Sequence, residues 1–198
     1  FNTIYYLDIL HFTDCRGNDN PDIKIPFVRL LQPKQGEVLI NEVLFNPRAD
    51  AYDFIELRNS SNNILDIGAI QLARYNDSEL QNISRISDTE LALFPGEYIA
   101  LTEDSASLRT EYNTGDFIVQ TDIPPMNNDE GTLVLLNNDG LTLDSLTYFE
   151  EQHFELLNSV DGVSLERISF SAPTYQPTNW ASASSSVGFA TPALPNSQ

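Results

Sequence analysis

Cysteine is nearly absent. Cys15 stands alone among 198 residues, which excludes an internal disulfide framework. Histidine is almost as scarce: His11 and His153 lie far apart, with no second His or Cys at zinc-ligand spacing. His11 precedes Cys15 by four residues, but one sequence neighbour does not make a thiol dyad. No Ser sits in a G-x-S-x-G elbow, and no glycine-rich loop could cradle a phosphate. No apolar run approaches the roughly 20 residues a membrane-crossing helix needs. There is no initiator Met and no leader pattern, and Phe1 begins mid-pattern. The chain therefore reads as a piece of something longer.

Basic residues are also few, ten against 29 acidic ones, for a net charge of −19. That balance opposes binding to a phosphate backbone, so nucleic acid is not an expected partner. It suits a soluble exported protein, or one with a cation to bind. The charge is uneven. Residues 1–35 carry Lys24, Lys34, Arg16 and Arg29 against Asp8, Asp14, Asp19 and Asp22. The rest has no Lys, six Arg and 25 acids. The shift falls at "QPKQGE", a linker-like stretch, and places a domain boundary near residue 35.

Beyond that boundary, apolar runs of strand length alternate with turn chemistry. They are 37–45, 52–59, 64–75, 96–102, 116–121, 131–136, 141–149 and 162–170. "NNDG" between the sixth and seventh is the clearest hairpin turn. The pattern predicts an all-β sandwich or barrel, with one short helix at 103–113 capped by Thr102 or Asp104. Ile40, Ile55, Leu57, Leu72, Ile99, Leu101, Leu133, Leu135 and Leu165 are the expected core. Trp180 is expected to plug one end of it, with a sugar-stacking ring as the alternative.

Three carboxylates, Glu42, Asp53 and Glu56, stand in or beside the first two strands. Strict alternation puts Val38, Ile40, Glu42 and Leu44 on one face, and Phe54, Glu56 and Arg58 on another. Antiparallel pairing would then let Glu42 or Glu56 meet Arg58 or Arg167 across the ladder, a structural pairing role. A paired-carboxylate hydrolase would need acids about 5–10 Å apart in a sugar-sized cleft. No cleft is legible. Asp129 and Glu130, in "NNDE", are oxygen-ligand candidates for calcium, though they do not match a spaced EF-hand loop. No other cofactor is expected, and no catalytic residue is assigned.

In order along the chain come "VLINEVLFNP", "DFIELRNSSNNILDIGAIQLA", "FPGEYIALTED" and "NDEGTLVLLNNDG" with "DSLTY" after it. "GVSLERI", "NW" and "ATPALPNS" follow. Together they resemble the lamin tail domain, its bacterial members in particular, over residues 36–198. The resemblance implies an immunoglobulin-like β-sandwich and a non-catalytic module appended to exported bacterial proteins. "YYLDILHFTDCRGN" resembles the last strand and closing turn of bacterial immunoglobulin-like repeats, so residues 1–35 are expected to end a preceding domain. "DSA" at 104–106 resembles a short O-glycosylation acceptor.

The expected function is an extracytoplasmic interaction or spacer module with a protein or glycan partner. One alternative is a calcium-dependent adhesion or carbohydrate-binding module using Trp180 and the loop at 127–130. Another is an accessory domain of a secreted nuclease.

Overall fold

A computed structural model describes residues 3–198. The described strands are β1 (Ile4–Ile9), β2 (Ile23–Val28), β3 (Val38–Leu44), β4 (Phe54–Asn59), β5 (Leu65–Asp66), β6 (Gln71–Asn76) and β7 (Glu79–Arg85). They continue with β8 (Ala92–Leu93), β9 (Tyr98–Thr102), β10 (Ile118–Gln120), β11 (Glu130–Leu136), β12 (Thr142–Phe149), β13 (Leu165–Arg167) and β14 (Trp180–Ser182). One α-helix, α1 (Ser105–Glu111), lies between β9 and β10.

Two sheets face each other. One has six strands in the order β10-β9-β4-β3-β13-β14, and the other has four in the order β12-β11-β6-β7. Their inner faces meet in one apolar cluster that holds all nine residues expected in the core. This is the immunoglobulin-like all-β sandwich with one short helix that the strand pattern and the resemblance imply.

Trp180 plugs this core. It is only 4% exposed, and its indole N–H donates to the Thr174 carbonyl at 2.9 Å. A ring so placed cannot stack on a sugar. Helix α1 is capped by Asp104, whose carboxylate accepts from the Ala106 and Ser107 amides. It makes the crossover that lets β10 run parallel to β9. Within the acceptor-like triplet, Ser105 is half-buried and its hydroxyl donates to Gln120 Oε1 at 3.1 Å.

Strand β7 falls in a stretch that the sequence pattern reads as polar connection. Asp77 and Ser78 both adopt positive φ, 51° and 67°, and make a tight reversal after β6. Glu79–Arg85 then pairs with β6 despite its polar composition, because it is an edge strand with little to bury.

Strands β1 and β2 form a separate antiparallel ribbon. One face carries Tyr5, Leu7 and Ile9 opposite Phe27, Ile25 and Ile23, so it is wholly apolar. Tyr5, Leu7, Ile25 and Phe27 are each 43–52% exposed. The chain then meets the sandwich at Leu31. The Leu31 amide donates to the Ile64 carbonyl, and the Leu31 carbonyl accepts from the Asp66 amide. Leu31 itself packs on the core.

Candidate functional site

A β-bulge decides where the first-strand carboxylate goes. Ile40 pairs with Leu57 and Glu42 with Glu56, so Asn41 is an extra residue on β3. Val38 and Ile40 point into the core, and beyond the bulge it is Val43 that does so. Glu42 and Leu44 are turned to the outer face. The expectation of Val38, Ile40, Glu42 and Leu44 on one face fails for this reason.

On that outer face Glu42 lies in register with Glu56 of β4 on one side and Glu166 of β13 on the other. The result is a row of three carboxylates, each 0% exposed. The expected pairing with Arg58 and Arg167 does not occur. Arg58 turns to Ser60 at 3.1 Å and stacks under Phe170, its guanidinium 3.9 Å from the ring centre. Arg167 points to the inner side. There it donates to the Ile40 carbonyl at 2.9 Å and to Thr174 at 2.6 Å, with Asp144 at 3.5 Å. Alternation along β13 separates it from Glu166.

What satisfies the row is the C-terminal strap, residues 189–198. The Thr191 amide donates to Glu42 Oε1 at 2.9 Å. The Ala193 amide donates to Glu56 Oε2 at 2.6 Å, and the Ser197 amide and hydroxyl both donate to Glu166. Asn41, the bulge residue, donates to Glu56 and to Asn196. Ser164 donates to Glu42 from beneath. Ala190 and Ala193 pack with Leu44, Phe54, Leu108 and Tyr112, so the strap is held by apolar contact as well.

Burial without a cation raises two of these acids, Glu42 and Glu56. Desolvation, then the Glu166 charge, pushes Glu42 up to about 7. Desolvation and the neighbouring Glu42 push Glu56 well above the usual carboxylate range. Asp53 also rises to about 7, through burial and the nearby Glu103. It lies apart from the row, lining an open cleft of about 320 Å³ with Tyr52, Glu103 and Asn128.

Chemically the row is sealed. A hydrolytic carboxylate pair must reach a substrate, and these three reach only protein. Asp129 and Glu130, the calcium candidates, are both exposed, and the Glu130 amide donates to its neighbour's Asp129 Oδ1. Among the described residues no three His, Cys, Asp or Glu side chains gather as a metal site. Ser182 Oγ lies 3.0 Å from His153 Nδ1, beside a groove of about 740 Å³. Burial lowers His153 to about 4, so it is too weak a base to activate a serine at neutral pH. Its other ring nitrogen has no partner to orient it.

The sequence reasoning missed Glu166, Ser164 and the strap's role. Alternation within "SLER" would have placed Glu166 opposite its apolar neighbour. Nothing local announces that "ATPALPNS" binds 25 to 155 residues upstream.

Among the described residues no helix is long and apolar enough to cross a membrane. No curated protein matches the chain. A family model described as Lamin Tail Domain matches residues 32–150, more than half of the chain, and this family of immunoglobulin-like domains is generally non-catalytic. With the sandwich and its strand order in place, that match establishes that the chain belongs to the lamin tail domain family.

Proposed function

We propose that the chain is a non-catalytic interaction or spacer module of a larger exported bacterial protein, with a protein or glycan partner. Residues 1–35 act in this reading as the closing hairpin and linker of a preceding immunoglobulin-like domain. The observation that carries it is the apolar face of the β1–β2 ribbon. Two strands alone are marginal in water, and six apolar side chains on one face suit a second layer packed against them. Three residues beyond β2, hydrogen bonds from Leu31 to Ile64 and Asp66 tie the chain to β5, which supports a spacer reading.

Hydrogen exchange on the parent protein tests this. The β1 and β2 amides should exchange far more slowly in the parent than in the 198-residue chain, and equal rates in both would overturn the reading. Calcium separates the adhesion alternative: a melting temperature that rises with calcium over chelator would favour it. Duplex DNA should not bind at physiological salt, given −19 overall. Salt-sensitive micromolar binding would favour the nuclease-accessory alternative.

A further inference from the structure

The strap's hydrogen bonds do not close without an extra proton. Thr191 Oγ1 lies 3.0 Å from Glu42 Oε2 and 2.7 Å from Glu166 Oε1. A hydroxyl has one hydrogen and can donate to only one of them. With both carboxylates ionised, the second contact sets oxygen lone pairs against each other at groups that are 0–4% exposed. A proton on Glu42 Oε2 resolves it. That carboxyl then donates to Thr191 Oγ1, which donates to Glu166 Oε1. Glu42 Oε1 stays free to accept from the Thr191 amide and the Ser164 hydroxyl.

No cation offers an alternative. The facing groups from β4, β3 and β13 are Glu56, Glu42 and Glu166. The strap contributes Thr191, Ala193, Asn196 and Ser197, none of which is charged. From the end of α1 comes Glu111, from its C-cap Tyr112, and from the loop after β3 comes Arg48. Its guanidinium is committed to Glu111 at 3.0 Å and lies over the Tyr112 ring. Among the described residues no Arg, Lys or His hydrogen-bonds to the row.

We propose that residues 189–198 form a proton-governed clasp, docked on the Glu42–Glu56–Glu166 row while Glu42 and Glu166 share a proton through Thr191 and released when that proton is lost. The sign follows from linkage. A carboxyl raised by docking favours the docked form fully below its ordinary value, and that advantage fades as pH rises through its raised value. For Glu42 the window runs from about 4.5 to about 7. Release would hydrate three carboxylates and uncover the surface beneath Ala190.

Amide exchange by NMR on the whole chain at about pH 5.5 and about pH 8.5 tests the clasp, each rate divided by its intrinsic rate. Protection at Thr191, Ala193 and Ser197 should fall roughly ten- to thirtyfold relative to core amides such as Ile55 and Leu135. In Glu42→Gln the amide replaces the protonated acid, so strap protection should stay high and flat across both pH values. Strap amides that track the core at both pH values in the native chain would overturn the proposal, whether or not the variant folds. So would a folded Glu42→Gln that keeps the native pH response. Glu166→Gln gives a second neutralised row and should behave like Glu42→Gln.

Discussion

Arg167 and Asp144 meet across Ile40 and together satisfy both backbone groups of that residue. Asp144 Oδ2 accepts the Ile40 amide at 2.9 Å, and Arg167 Nε donates to the Ile40 carbonyl at 2.9 Å. Thr174 completes the cluster, accepting from Arg167 and donating to Asp144, each at 2.6 Å. The bulge at Asn41 lies directly beyond Ile40, and the pairing of β3 with β13 covers only Glu42 and Val43. Two side chains thus take the place of a missing strand partner.

Arg167→Met should therefore destabilise the fold by about 3–5 kcal/mol, because Asp144 is left buried without its cation. Arg167→Lys should not restore it. An ammonium cannot reach the Ile40 carbonyl and Thr174 with the fixed fork of a guanidinium. Urea denaturation of the three proteins measures both effects.

Acid should destabilise through His153. Burial holds its pKa near 4 in the folded chain, below its ordinary value of 6.5. The neutral ring's contribution is complete above about 6.5 and is lost as pH falls toward 4. A His153→Phe chain should show a flatter stability profile over that range. NMR titration of the native ring should find it neutral at pH 5, and a protonated ring there would refute the expectation.

Gly115 lies under the strap. Its amide donates to the Pro192 carbonyl at 2.8 Å, and a Cβ there would come within 2.0 Å of the Ala193 carbonyl oxygen. Gly115→Ala should cost about 1–3 kcal/mol by overpacking. It should also loosen the Thr191 and Ala193 amides selectively in hydrogen exchange. Unchanged exchange at those two amides would show that the strap does not bear on Gly115.

The N-terminal ribbon should be removable, but only up to a point. A chain of residues 30–198 keeps the Leu31 hydrogen bonds and should unfold with the stability of the whole chain to within about 0.5 kcal/mol. Starting at 34 instead removes Leu31 and the buried Pro33, and should cost about 1–3 kcal/mol. Thermal melts of the two truncations distinguish these cases.

The core was legible because period-2 alternation and burial coincide there. Ile55, Leu57, Leu133 and Leu135 each sit where alternation places them. The bulge was not legible. Asn41 looks like any polar strand residue, yet its insertion reverses the faces of everything after it. Strand β7 was hidden because an edge strand needs little hydrophobicity, and its turn uses Asp-Ser rather than glycine. The candidate site was half visible. Glu42 and Glu56 were singled out, but arginine was expected as their partner. Backbone amides of a distant strap supply the pairing instead, and amides leave no mark on sequence.

That strap also sets the order of assembly. Glu42 and Thr191 are separated by 149 residues along the chain, and Asn41 and Asn196 by 155. During synthesis Glu42 and Glu56 are made, and their strands can begin to pair, long before Thr191 and Ala193 exist to cap them, 149 and 137 residues later. Until then those glutamates stay hydrated and charged, which opposes sticking at their part of the outer face. Contacts of such long range close slowly, so docking of residues 189–198 is a late step in completing this sandwich.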